Sequence, residues 1–172
     1  MQQQRGFTLI ELIIVIVILG ILAVTAAPKF INLSNDATAS TLKGVKAALQ
    51  SGAQLVYAKS AIAGEQSNAS AGDATSQVLV SGVTVETDFG YPDAELMLEA
   101  MLEGWVQLDL DNDFTHTVGA AADNTTPAAG TFAIAPGTTA PTDFSTDTCH
   151  VLYTDAADAN SAPVITVTSA GC

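Results

Sequence analysis

The chain has 172 residues and a formal net charge of −13, and its charges are segregated along the sequence. All five basic residues lie within the first 59 positions, whereas 16 of the 18 acidic residues follow Gly64. A surface that carries only carboxylates repels phosphate backbones, which argues against nucleic acid as a partner, and the length suits one anchor segment and one compact domain.

Residues 7–27 form a nearly continuous apolar segment, interrupted only by Thr8, Glu11 and Thr25. At ~1.5 Å per residue, a helix of this length crosses the ~30 Å hydrocarbon core of a bilayer. The segment therefore predicts a transmembrane helix. Glu11 lies inside it, and because a charged carboxylate costs roughly 3 kcal/mol at the bilayer centre, we expect a cation to meet it.

An ordinary secretory signal is the main alternative for this segment, with a cut at the small residues near Val24-Thr25-Ala26. That interpretation gives Glu11 no purpose, since a carboxylate is costly in the apolar part of a signal. A cut after Gly6 would instead leave the helix on the mature chain and create a new amine on Phe7. This amine would supply the cation that Glu11 requires.

The sequence Gly6-Phe7-Thr8-Leu9-Ile10-Glu11, followed by an apolar helix, resembles the prepilin motif of type IV pilins and the related pseudopilins. The resemblance implies that residues 1–6 are a leader of the type IVa kind. A prepilin peptidase would remove it between Gly6 and Phe7, and Phe7 would then be N-methylated. The resemblance also implies a homopolymer that assembles through Phe7 and Glu11. Its subunits would wait in the inner membrane of a Gram-negative bacterium for the type IV pilus assembly machinery.

The same resemblance implies the α+β fold of type IV pilins, in which a long N-terminal α-helix packs on an antiparallel β-sheet and a disulfide closes a C-terminal region. The stretch from Ile18 to Phe30, together with Cys149 and Cys172, is similar to pilins of the mannose-sensitive haemagglutinin (MSHA) type. That likeness implies a major pilin used for adhesion and biofilm initiation. A pseudopilin of a type II secretion system and a monomeric membrane-anchored binding module are the alternatives.

The helix is expected to continue beyond the filament-core half at residues 7–28 into an amphipathic half at residues 29–63. Apolar or small residues recur there at steps of three or four, namely Leu42, Val45, Leu49, Gly52 and Val56. Gly64 is the predicted end of the helix. Gly20 lowers helix propensity and Pro28 lacks a backbone donor, so we expect a bend or local melting between them that makes the helix flexible.

Residues 64–172 are predicted to form a globular β-rich head. Residues 65–76 indicate a loop, and Val78 to Val85 a strand or hairpin arm that bulges at Gly82. A short helix should follow, with Asp93 as its N-cap and Gly104 at its end. Four β-rich segments predict an antiparallel sheet that the amphipathic half of the helix covers on one face: Trp105 to Leu108, Thr131 to Ala135, Thr148 to Thr154 and Val164 to Thr168.

The residues that bear chemistry do not form an enzyme-like set. Asp109, Asp111 and Asp113 are a weak calcium candidate, but Phe114 and Ala120 stand where an EF-hand has Gly and Glu, so we prefer a solvated turn. His116 and His150 lack the spacing of a triad or a zinc pair, and the sequence predicts neither catalysis nor a cofactor. Cys149 and Cys172 predict one disulfide, formed in an oxidising compartment.

Overall fold

The computed structural model describes residues 7–110, 112–119, 129–140 and 146–172, and for residues 27–32 it describes the backbone alone. The chain divides into two compact units, Met1–Ala37 and Thr38–Cys172, which we call the N-terminal unit and the C-terminal unit. Helix α1 (Leu9–Ala63) begins in the first unit and ends in the second. It starts two residues later than the sequence predicts.

In the C-terminal unit, α1 has one buried face. Leu42, Val45, Leu49 and Val56 are buried along it, and their spacing of three or four residues places them on one side of the helix. This confirms the predicted amphipathic stripe. In the N-terminal unit the backbone is helical at Gly20 and throughout 27–32, and the flexibility expected there stays a prediction.

The end of α1 is set by Gly64, as predicted. Gly64 has φ +81°, its N–H donates to the carbonyl of Ala61 at 3.3 Å, and the N–H of Glu65 donates to the carbonyl of Ser60 at 3.0 Å. This pair of bonds is a Schellman motif, which satisfies the last carbonyls of a helix and needs a left-handed residue just after it.

The first sheet follows a loop that contains one 3-10 turn, Ala74–Ser76. Its strands are β1 (Gln77–Val80), β2 (Val83–Asp88) and β3 (Tyr91–Pro92), paired antiparallel in the order β1-β2-β3. Ser81 and Gly82 join β1 to β2 with φ values of 51° and 86°, as the two central residues of a type I′ turn require. The predicted bulge at Gly82 is therefore wrong, because Gly82 serves the turn between two strands.

Helix α2 (Glu99–Trp105) is shorter and later than predicted. Asp93 is not its N-cap: the Oδ1 atom of Asp93 accepts the N–H of Glu95 at 2.8 Å and of Leu96 at 3.3 Å, which closes a separate turn before the helix. Gly104 lies inside α2 rather than after it. A Cβ on Gly104 would approach the Cβ of Val83 to 2.9 Å, so this glycine allows α2 to lie close against β2.

The second sheet is antiparallel with the order β4-β5-β6-β7. Its strands are β4 (Phe114–Val118), β5 (Thr131–Pro136), β6 (His150–Thr154) and β7 (Val164–Thr168). Two predictions for this region are wrong. The segment from Trp105 to Leu108 is not a strand, since Trp105 ends α2, and the sequence analysis missed β4. The described strands thus form two sheets instead of one.

The core of the C-terminal unit joins the buried face of α1 to α2 and to side chains of both sheets. Phe132 stacks on Tyr153 with ring centroids 4.6 Å apart, and Trp105 meets Tyr153 edge-on at 6.4 Å. Trp105 also packs directly on α1 at Gly52, where an added Cβ would lie 2.5 Å from the Cε3 atom of the indole. A large aromatic side chain therefore reaches the helix backbone.

Two hydrogen bonds connect the end of β6 to the segment around β3. The hydroxyl of buried Tyr153 donates to the carbonyl of Pro92 at 2.9 Å, and the N–H of Ala94 donates to Oδ1 of Asp155 at 2.8 Å. These bonds connect the second sheet to the first.

The carboxyl group of Asp155 occupies an unusual environment. Burial raises its pKa to about 7, the hydrogen bond from Ala94 opposes this shift, and the nearby carboxylates of Asp93, Asp88 and Glu95 add to it. The charged form of this group is therefore disfavoured in the folded chain.

The predicted disulfide is confirmed. Cys149, directly before β6, is bonded to Cys172, with Cα atoms 4.9 Å apart. The bond holds the end of the chain beside the second sheet, and together with α1 and the antiparallel sheets it gives the α+β fold expected of a type IV pilin.

Candidate functional site at the start of helix α1

The first part of α1 is an uncovered apolar surface. Every described side chain from Leu9 to Ala26 is exposed, and this span has a mean hydropathy of 3.0. By length and composition it is the membrane-span candidate within the described residues. An exposed apolar surface of this size is typical of a segment that contacts a membrane or other protein chains.

Thr8 and Glu11 form a reciprocal cap at the start of this helix. The backbone N–H and the hydroxyl of Thr8 both donate to Oε2 of Glu11 at 2.7 Å, and the N–H of Glu11 lies 3.4 Å from the hydroxyl oxygen of Thr8. Thr8 precedes the first helical residue, so this is the capping box in which a Thr and a Glu three positions later satisfy free backbone donors. Glu11 therefore has a partner within its own chain.

The sequence analysis missed this cap, although the signal was present. A Thr followed by a Glu three residues later, directly before an apolar run, is the capping-box pattern. This local backbone role of Glu11 is separate from the cation that the sequence predicts for it. The structure adds the intrachain role and does not test the pairing with an amine.

Glu11 is exposed and has apolar neighbours along the helix. Phe7, Glu11, Leu12, Ile14 and Val15 line a groove of about 470 Å³, and Phe7 is 94% exposed. If lipid or other helices cover this groove, a charged group in it gains more from a partner than it would in water. Gly6 lies outside the described residues, so cleavage after it stays a prediction.

Comparisons with known proteins find a known motif at the start of the chain. The family model described as "Prokaryotic N-terminal methylation motif" matches residues 1–27. In its matched segments the chain is similar to type IV pilins. It is 49% identical over 47 residues to the "Type IV narrow pilus major component PilA5" of Thermus thermophilus, covering 27% of this chain and 40% of that protein. It is 32% identical over 85 residues to the "Prepilin peptidase-dependent protein A" of Clostridium perfringens, covering 49% of this chain and 61% of that protein.

These matches cover only part of each protein. This chain spans less than two thirds of the length of either relative, and no solved structure gives a significant match. The likeness to a pilin thus lies in the matched segments, which include the methylation motif. The finer resemblance to MSHA pilins is not tested by these relatives and stays a prediction.

The acidic calcium candidate is a turn in the described residues. Oδ1 of Asp109 accepts the backbone N–H of Asn112 at 2.9 Å and its side-chain amide at 3.1 Å, and the carbonyl of Asp109 accepts the N–H of Asp113 at 3.2 Å. Asp111 lies outside the described residues. Within those residues there is no group of three His, Cys, Asp or Glu side chains that could hold a metal ion.

The two histidines occupy separate strands of the second sheet. His116 in β4 packs edge-on against Phe132 of β5, with ring centroids 5.4 Å apart, and burial lowers its pKa to about 4. His150 begins β6, where its Nδ1 atom lies 2.9 Å from Oδ2 of Asp147. The first is a half-buried side chain whose neutral form is favoured, and the second lies beside the disulfide at Cys149, which has no thiol to activate.

Proposed function

We propose that the chain is the major subunit of a type IV pilus. It waits in the inner membrane of a Gram-negative bacterium with α1 spanning the bilayer. A prepilin peptidase removes residues 1–6, Phe7 is N-methylated, and the assembly machinery adds the subunit to a homopolymer. The observation that carries the proposal is the uncovered apolar start of α1, which coincides with a matched methylation motif and contains one carboxylate.

The exposed apolar helix suits both environments that this proposal requires. In the membrane its side chains contact lipid tails, and in a polymer they contact the same helix of other copies. Both surroundings are apolar, so moving between them carries little hydrophobic cost, and specific contacts decide the arrangement. The polymer thus buries the surface that the single chain leaves uncovered.

Glu11 is the specific contact in this proposal. In the single subunit its carboxylate accepts two hydrogen bonds from Thr8 and has no positive partner in the described chain. In the polymer it pairs with the amine of Phe7 on a neighbouring copy. An unpaired charge in lipid is costly, whereas a paired charge loses little, so the pairing favours aligned subunits.

Adhesion to surfaces and initiation of biofilms follow from the resemblance to MSHA pilins. The name of the relative from Thermus thermophilus, a major pilus component, supports the polymer rather than the adhesive role. The described C-terminal unit contains no feature that identifies a receptor.

Electron microscopy of sheared surface fibres, with an antibody against the C-terminal unit, tests the proposal. We expect labelled fibres whose subunit begins at an N-methylated Phe7 by mass spectrometry. A chain confined to the membrane fraction with its leader removed would favour a pseudopilin. A chain that keeps residues 1–6 and is monomeric in mild detergent would overturn the proposal.

A further inference from the structure

The last turns of α1 carry an exposed apolar surface around one lysine. Leu55, Lys59 and Ile62 follow at steps of four and three, which places them on one face of the helix, and Ile62 is 88% exposed. Leu79 of β1 is 62% exposed and lines a groove of about 330 Å³ with Lys59 and Ile62. We call Leu55, Lys59, Ile62 and Leu79 the lysine surface.

The charge of this surface is opposite in sign to the net charge of the C-terminal unit. The Lys and Arg residues of this unit are Lys43, Lys46 and Lys59, all on α1, and no Lys or Arg follows Lys59. Lys59 is exposed, and no described carboxylate is paired with it. A second copy of the chain offers an acidic surface of the complementary charge.

One acidic region also matches the lysine surface in its apolar content. Leu96 and Leu98, which precede α2, are 42% and 62% exposed. Glu95, Glu99 and Glu103 are exposed in the same nine-residue segment. We call these five residues the glutamate surface. It combines uncovered leucines with three carboxylates, as the lysine surface combines apolar side chains with an amine.

Other acidic side chains are already used within their own turns. Oδ1 of Asp73 accepts the N–H of Thr75 at 2.8 Å, and Oδ1 of Asp158 accepts the N–H of Asn160 at 2.8 Å. Asp109 similarly caps its own turn. Their oxygens hold local backbone, whereas the carboxylates of the glutamate surface extend from exposed positions.

We propose that the lysine surface of one copy docks on the glutamate surface of the next copy. The inference rests on the proposed function, because it describes a contact between neighbouring subunits of the filament. The two surfaces share no residue, so the contact is heterologous. Each pair of copies therefore keeps one lysine surface and one glutamate surface unoccupied. Such contacts do not close a dimer, and they generate an open polymer when the rotation between copies does not close a ring.

Apolar burial and charge contribute differently to this contact. Burial of Ile62 and Leu79 against Leu96 and Leu98 supplies the attraction, because uncovered apolar area is removed from water. Lys59 facing the glutamates fixes the orientation, since opposite charges select this pairing and like charges reject others. The orienting part is screened by salt, so the contact should weaken at high ionic strength.

Charge reversal in the full chain tests the docking. Lys59→Glu and Glu99→Lys each place like charges in the contact, and each should reduce the yield of sheared fibres by roughly tenfold or more. The double variant restores opposite charges and should recover most of the yield. Asp113→Lys, at an exposed position outside both surfaces, is the control and should leave the yield unchanged.

Two results would overturn the docking: single variants that assemble like the parent chain, or a double variant no better than either single variant. Zero-length carbodiimide cross-linking gives a second readout that needs no substitution. It should join Lys59 to Glu95, Glu99 or Glu103 of another copy. If the parent chain makes no surface fibres but purified chains in detergent still form this cross-link, the proposed function fails and the docking stands.

Discussion

Replacement of Gly52 by Ala tests how closely Trp105 approaches α1. An ideal Cβ at Gly52 would lie 2.5 Å from Cε3 of Trp105 and 2.6 Å from its carbonyl oxygen. The indole is buried in the core, and the second atom belongs to the backbone at the end of α2. Neither atom is the free end of a flexible side chain, so the added methyl group forces α1 and α2 apart.

The expected change in the stability of Gly52→Ala follows from two opposing effects. Overpacking a close contact costs about 1–3 kcal/mol, whereas Ala in place of Gly favours the helix by about 1 kcal/mol. Gly44 lies on the same helix with nothing within 4 Å of its Cβ position. Gly44→Ala therefore reports the helix preference alone, and the difference between the two variants reports the clash.

Thermal unfolding of the full chain in mild detergent, followed by near-ultraviolet circular dichroism of Trp105, measures both variants. Gly44→Ala should raise Tm, and Gly52→Ala should unfold lower than Gly44→Ala by roughly 3–12 °C, which corresponds to about 1–3 kcal/mol for a domain of this size. Equal Tm values for the two variants would refute the close approach of Trp105 to α1.

Three further predictions concern assembly, the disulfide and pH. Glu11→Val should still insert and lose residues 1–6 but fail to polymerise, whereas Gly6→Leu should keep the leader. Fibre counts measure polymerisation, and a gel shows which variant keeps the leader. Normal fibre numbers from Glu11→Val would contradict the pairing. Cys149→Ser together with Cys172→Ser should lower the free energy of unfolding by ~3 kcal/mol in urea titrations, because the bond joins positions 23 apart; an unchanged midpoint would show that the bond adds nothing. The raised pKa of Asp155, about 7, means that the folded chain holds this proton more tightly than the unfolded chain, so the carboxyl destabilises the fold increasingly as pH rises from about 4 to about 7. Asp155→Asn should therefore raise Tm more at pH 8 than at pH 4. Glu103→Gln, at an exposed position, is the control. An equal effect of Asp155→Asn at both pH values would contradict the destabilising role of the Asp155 carboxyl.

The sequence predicts α1 well because its signals are periodic and redundant. The buried stripe repeats at Leu42, Val45 and Leu49, and one residue, Gly64, supplies the left-handed end. The candidate membrane segment needs only length and composition to be recognised. These features depend on local sequence, so tertiary contacts do not have to be known.

Shorter elements were harder to predict because tertiary contacts decide between competing local signals. Asp93 has the chemistry of a helix cap, but its carboxylate closes a turn instead, and α2 begins at Glu99. Strand β4 was missed because its central residues, Thr115 to Thr117, are polar and only half-buried. Its pairing with β5 defines it, and that partner lies beyond a stretch outside the described residues.

The capping box changes how the proposed pairing of Glu11 works. A reciprocal cap contributes about 1 kcal/mol, whereas a carboxylate in the bilayer centre costs roughly 3 kcal/mol. Glu11 lies near the start of the candidate span, where the cost is smaller than at the centre, and the cap with Thr8 offsets part of this cost in the single subunit and leaves a remainder. On the proposed function, the amine of a neighbouring Phe7 removes this remainder. On the same proposal, the cap stabilises the subunit in the membrane, and the uncompensated part of the charge favours its entry into the polymer.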